Sequence, residues 1–197
     1  MIARLVGSEM CIRDRNEHGE IENDFLLTGS SSILKSIECG LAISYILKKD
    51  NNTERWTKSY NLLSKALKNP NGKFDILKDR KRFSMDSYYP ILSGCLNKKE
   101  IKSYIDKTFS YFYVDGIGIK CVKEEPWITV AETSEFIISL VIQGNVKKSK
   151  ELLLDVINIS DENKIPYMGW QYEENIFWPY EKPSWTAAAL ILSLIHI

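Results

Sequence analysis

Three carboxylates and a group of indoles are the residues of this chain best suited to chemistry. Glu132 and Glu135 stand three residues apart in the stretch Pro126 to Gly144, PWITVAETSEFIISLVIQG. That spacing puts both acids on one face of a helix. Trp127 precedes them. An acid buried beside an indole has a raised pKa, while a better solvated neighbour stays ionised. A raised acid and an ionised base are the two groups that hydrolysis of a glycosidic bond requires. Asp86, in RFSMDSYYP, opens an earlier apolar stretch and is the third candidate catalytic acid. Arg82, Tyr88, Trp127, Trp170, Trp178, Glu181 and Trp185 are the candidate substrate-binding residues around them, with Ser30 and Glu173 at equivalent chain positions. Their indoles are of the kind that stack on sugar rings. Each feature also has a plainer reading. Thr129 to Glu132 matches a capping box, Asp86 can cap its own helix, and tryptophan is a common core filler.

The elements that must position these residues come from hydrophobic periodicity. Apolar stretches predict buried helices near 26–47, 85–96, 129–143 and 184–191. Each of the first three is followed by an amphipathic stretch, 53–67, 98–112 and 147–159, with apolar residues three and four apart. Ser30 to Ser32 offers an N-cap to the first. Pro90 should kink the second helix or sit in its first turns. The unit of buried helix, tight turn, amphipathic helix and long loop repeats every roughly 45 to 55 residues, the mark of an array of supersecondary units. The expected fold is all-α, an incomplete α/α toroid with dry helices inside and amphipathic helices outside. No strand pattern of useful length is visible. The turns from inner to outer helix are short and the returns are long. The long loops, Tyr113 to Glu125 and Ser160 to Lys182 among them, therefore gather above the N-termini of the inner helices. Those ends favour anions and hydroxyl oxygens. In this arrangement Asp86 and Glu132 start successive inner helices roughly 8–10 Å apart, near the carboxylate separation of an inverting glycosidase.

The two ends of the chain need separate treatment. Leu5 to Arg15, LVGSEMCIRDR, is the translation of a transposon-end sequencing adaptor, and Leu192 to Ile197, LSLIHI, is the translation of its opposite strand. Residues 1–15 and 192–197 are therefore expected to be adaptor-like, leaving 16–191 as about three and a half hairpins of a larger toroid. The missing N-terminal half of that toroid is the expected structural partner. Without Arg4, Arg13, Arg15, Glu9 and Asp14 the charge stays near neutral, which excludes a global basic footprint for nucleic acid. No apolar run reaches the length of a transmembrane helix. Cys39, Cys95 and Cys121 remain, an odd number in apolar surroundings, and point to reduced thiols and a cytoplasmic location. His18 is the one histidine left, so no histidine triad or histidine zinc site can be completed, and no metal or cofactor is expected.

LLTGSSSI, RFSMDSYYPILSG, GIGIKC, PWITVAETSE and WPYEKPSWTAAALI together resemble blocks of a bacterial α/α-toroid family. Its members look like six-hairpin glycosidases and are often labelled prenyltransferase-like. The resemblance covers most of Leu26 to Ile191 and implies the C-terminal half of a longer protein. An aromatic usually follows the MD pair in that family, where this chain has Ser87. Lys120 stands before the cysteine where Arg is common. The resemblance implies a carbohydrate-active enzyme working on a glycan or glycoconjugate by acid–base chemistry. Two alternatives stay open: an isoprenoid-handling enzyme on the same kind of scaffold, and a glycan-binding toroid without catalysis. The isoprenoid reading lacks a zinc ligand set and a clustered aspartate motif in this sequence.

Overall fold

The computed structural model describes residues 24–49, 52–77 and 79–197. The adaptor-like N-terminal residues 1–15 and His18 lie outside them. The described residues are mostly helical, with a small amount of strand. In chain order the elements are α1 (Leu27–Ile46), α2 (Thr53–Lys68), α3 (Met85–Leu92) and α4 (Lys98–Tyr111). Then come β1 (Tyr113–Val114), β2 (Gly118–Ile119), β3 (Trp127–Thr129), α5 (Val130–Gln143) and α6 (Val146–Val156). The chain ends with β4 (Gly169–Gln171), β5 (Ile176–Phe177) and α7 (Ser184–His196). The described residues divide into two compact units, those from 24 to 80 with 92–96 and those of 81–91 with 97–197.

In the first unit α1 and α2 form a helical hairpin around Leu34, Leu67 and Cys95, with Tyr60, Leu63 and Phe74 against them. The Ser30–Ser32 N-cap expected for α1 is not formed. The helix begins at Leu27 with Leu26 at its N-cap position, so the serines lie inside its first turns. The Ser31 hydroxyl is turned back onto the Leu27 carbonyl. Burial is confined to the N-terminal part of α1, and Ile43, Tyr45 and Ile46 are exposed.

In the second unit α5 is the central helix. Val130, Ala131, Thr133, Ser134, Phe136, Ile137, Ser139 and Leu140 are buried, which leaves almost no wet face until its last turn. It packs on α6, on α7 and on α4. Gly144, at φ +92°, ends it in the left-handed conformation that favours glycine. The turn into α6 is short, and Asn145 caps α6 by accepting from the Lys148 N–H. Tyr88 from α3 and Phe109 from α4 both meet the Phe136 ring, at centroid distances of 6.2 and 5.2 Å. α4 starts with a full capping box that the periodicity did not reveal. Asn97 accepts from Lys99 and Glu100, and the Glu100 carboxylate returns to the Asn97 N–H.

Several expectations change. The expected 85–96 helix stops at Leu92, and Gly94 follows at φ +78°. Pro90 sits inside it. The expected 184–191 helix runs on to His196, because LSLIHI contains no helix breaker. The main correction is to a purely helical chain: the long loops carry short strands. β1 and β2 form a hairpin, and β3, β4 and β5 form an antiparallel sheet in that order. These strands are two or three residues long, too short for an alternating pattern to stand out. Among the described residues no helix is long and apolar enough to cross a membrane.

Candidate active site

The long loops do gather at the N-terminal end of α5, where they form the three-stranded sheet. β3 leads straight into α5, so Trp127 to Thr129 is strand and Glu132 lies in the first turn of the helix. Trp127, Ile128 and Thr129 stand opposite Gln171, Trp170 and Gly169. Cys121 donates its N–H to the Trp127 carbonyl at 3.1 Å, which lays the Cys121 segment along β3. In turn Ser84 N–H donates to the Cys121 carbonyl, and Lys123 N–H to that of Arg82. These bonds bring the start of α3 beside the start of α5. Gly118, at φ +150°, closes the same corner. A Cβ there would lie 2.8 Å from Thr133 Oγ1 and 3.0 Å from Ile128 Cγ2, so only glycine allows the approach.

The two glutamates end up in different surroundings. Glu135 receives the Tyr88 hydroxyl on Oε2 at 2.9 Å and the Tyr89 hydroxyl on Oε1 at 3.0 Å. Burial lifts its pKa from 4.5 to about 7. The negative charge of Glu132 adds to the rise, and the two tyrosine hydroxyls oppose it by bonding to the ionised form. Glu132 is held by other groups. It accepts from the Thr129 hydroxyl and from the Cys121 thiol, the latter at 3.3 Å. The capping box expected at Thr129–Glu132 is thus replaced. Thr129 makes no side-chain bond to the helix amides, and the first amide of the helix, Val130 N–H, donates to the Met168 carbonyl instead. The Met168 carbonyl, one residue before β4, thus satisfies one of the free amides at the start of the helix. Burial and the Glu132 carboxylate push the Cys121 thiol well above its ordinary range. Tyr88 is fully buried, and burial with the Glu135 charge keeps its phenol protonated.

Asp86 is buried in the first turn of α3, the helix that supplies Tyr88 and Tyr89. Trp127 and Trp178 meet edge to face at 5.6 Å, and the Trp127 indole N–H donates to the Trp178 carbonyl at 2.6 Å. Gly169 makes room for this: a Cβ there would stand 2.6 Å from Trp127 Nε1. Trp178 and Trp185 are more than half exposed, at 58% and 54%. Arg82 does not reach the glutamates. It is exposed, pairs with Glu124 at 3.4 Å and lies over the Phe83 ring. Glu181 is exposed, and its backbone carbonyl accepts from the N–H of Met168, the residue before β4. Trp170 stands on the face of the sheet away from Trp127, because strand residues alternate. Tyr89 and Cys121 touch the glutamates and were not among the site residues singled out from the sequence. The doublet Tyr88–Tyr89 was the signal available for the first, and the second depends on the pairing of the Cys121 segment with β3. Among the described residues no group of three or more His, Cys, Asp or Glu is placed to hold a metal ion.

This geometry puts a carboxyl that is half protonated near neutral pH next to a second carboxylate at the start of α5, which β3 and Trp127 lead into. The chain is similar to a mannosidase. It is 33% identical over 168 residues to the MMP endo-(1,4)-3-O-methyl-alpha-D-mannosidase of Mycolicibacterium hassiacum, an alignment that takes in 85% of this chain and 45% of the relative. The chain thus spans a little under half the length of that relative. No family model matches it.

Proposed function

We propose that this chain forms part of a glycoside hydrolase that cleaves an α-mannosidic or closely related glycan, with Glu135 as the general acid. The observation that carries the reading is the pair of unequal glutamates. Glu135 has a pKa near 7, so about half of the molecules carry its proton near neutral pH and can give it to the leaving-group oxygen. Glu132 is the carboxylate partner, turned toward Thr129 and Cys121, and Asp86 is the third acid of the set. Trp127 and Trp178 supply an apolar rim on which a pyranose can stack. Tyr88 and Tyr89 are positioning residues: they fix the Glu135 carboxyl and limit how far its pKa rises.

The substrate class follows from the relative, whose name specifies an endo cut in a (1,4)-linked 3-O-methyl-α-D-mannoside chain. The share of that relative left unmatched, and the exposed apolar residues Ile43 and Ile46 of α1 with Leu47 just after it, support a toroid in which further hairpins complete the scaffold. The test is mass spectrometry of products released by the whole protein from 3-O-methylated and unmethylated α-(1,4)-mannan oligosaccharides. Glu135→Gln and Glu132→Gln should each lower release by about 100-fold or more, the usual yield of general acid–base catalysis. Wild-type turnover by both variants would overturn the assignment.

A further inference from the structure

The three-stranded sheet has two faces, and each carries an aromatic pair. Residues alternate along a strand. Trp127 and Trp178 occupy the face beside Thr129 and Glu132. Trp170 and Phe177 stand directly opposite each other in the β4–β5 ladder, on the side of Ile128. That second face borders a cleft of about 200 Å³ lined by Trp170, Phe177, Asn175, Asp155, Asn158 and Gly116.

We propose that this cleft is a second, non-catalytic sugar site that holds one pyranose ring against Trp170, with ring hydroxyls bonded to Asp155 and Asn158. Its volume is below the roughly 300–1,000 Å³ of pockets for drug-sized ligands, which suits one ring instead of an oligosaccharide. The chemistry is that of a polyol with an apolar face. The indole offers a flat platform for C–H groups. Asp155 offers two acceptor oxygens, and among the described residues it makes no hydrogen bond or ion pair with another side chain. Asn158 spends its amide N–H on the Leu154 carbonyl at 2.9 Å, which orients the side chain and leaves its carbonyl oxygen as an acceptor. Asn175, at φ +55°, forms the tip of the β4–β5 hairpin that closes one side. Burial raises the Asp155 pKa while Lys148 draws it down and Asp115 and Glu151 push it up. A glycan chain engaged by Trp127 and Trp178 on one face would thus find a second hold on the other. The choice of sugar rests on the glycan reading above; the cleft itself stands on its own chemistry.

The experiment is a titration of the full chain, with 15N-labelled indoles, with methyl α-D-mannopyranoside. The chain has five tryptophans, so each indole N–H is one resolvable peak. The Trp170 peak, assigned by its loss in Trp170→Phe, should shift saturably. The shift should persist in Glu132→Gln and Glu135→Gln and be lost in Asp155→Ala and Asn158→Ala. The other four indole peaks of those variants report that the fold is kept. A Trp170 peak that never moves overturns the proposal, as does one that moves equally in Asp155→Ala and Asn158→Ala. Because the titration needs no turnover, it can succeed where the hydrolase reading fails, or fail where that reading succeeds.

Discussion

Glu135→Gln should change how stability depends on pH, and the size of the change follows from the site. Folding raises the Glu135 pKa from 4.5 to about 7. Below pH 4.5 the carboxyl is protonated in both states, and its pKa shift contributes nothing to the stability difference. Between 4.5 and about 7 the folded chain holds a proton that the unfolded chain has lost, so wild-type stability falls as pH rises. Above about 7 the loss is complete. Each pKa unit is worth about 1.4 kcal/mol, so the whole change is about 3 kcal/mol. Glutamine is neutral at every pH and keeps an oxygen for the tyrosine hydroxyls. The stability difference between Glu135→Gln and wild type should therefore move by about 3 kcal/mol in favour of the variant between about pH 4 and about pH 8. Urea unfolding of both proteins across that range, followed by tryptophan fluorescence, measures it. A difference that stays constant within about 0.5 kcal/mol would refute the placement of an acid withdrawn from water at this position.

Three further outcomes follow from the same corner of the structure. Tyr89→Phe removes a hydrogen bond to the ionised carboxylate, so the acidic group seen in the pH–rate profile should titrate at higher pH than in wild type; an unchanged or lower value would show that the hydroxyl does not act on Glu135. Gly118→Ala should destabilise the fold by about 1–3 kcal/mol, because φ is +150° and the new Cβ would meet Thr133 Oγ1 at 2.8 Å; an unchanged melting temperature would contradict that contact. Iodoacetamide followed by peptide mass spectrometry should label exposed Cys39 well before Cys121, whose thiol is held protonated by burial and the Glu132 charge; equal rates would mean that the Cys121–Glu132 contact does not form.

Much of the scaffold was legible in the order of residues. The helix period is long enough to stand out over ten or more positions, so α1, α2, α4, α5 and α6 were placed to within a few residues. The placement of Glu132 and Glu135 on one helix was also local information, since three residues along a helix put two side chains on one face. Their chemistry was not. A pKa near 7 at Glu135 requires that α3 bring Tyr88 and Tyr89 against it and that water be withdrawn, and neither is encoded within the stretch that contains the acid. The same holds for the capping box at Thr129, which the local spacing predicted and which does not form: the Thr129 hydroxyl goes to the Glu132 carboxylate, and the first helix amide to the Met168 carbonyl. Strands of two or three residues carry no readable period, so the sheet, and with it the separation of Trp127 from Trp170 onto opposite faces, depended on pairing between segments some 40 residues apart. Local spacing decides which side chains share a helix face, whereas desolvation and strand register arise only when distant segments pack, and those two decided which of the candidate residues meet.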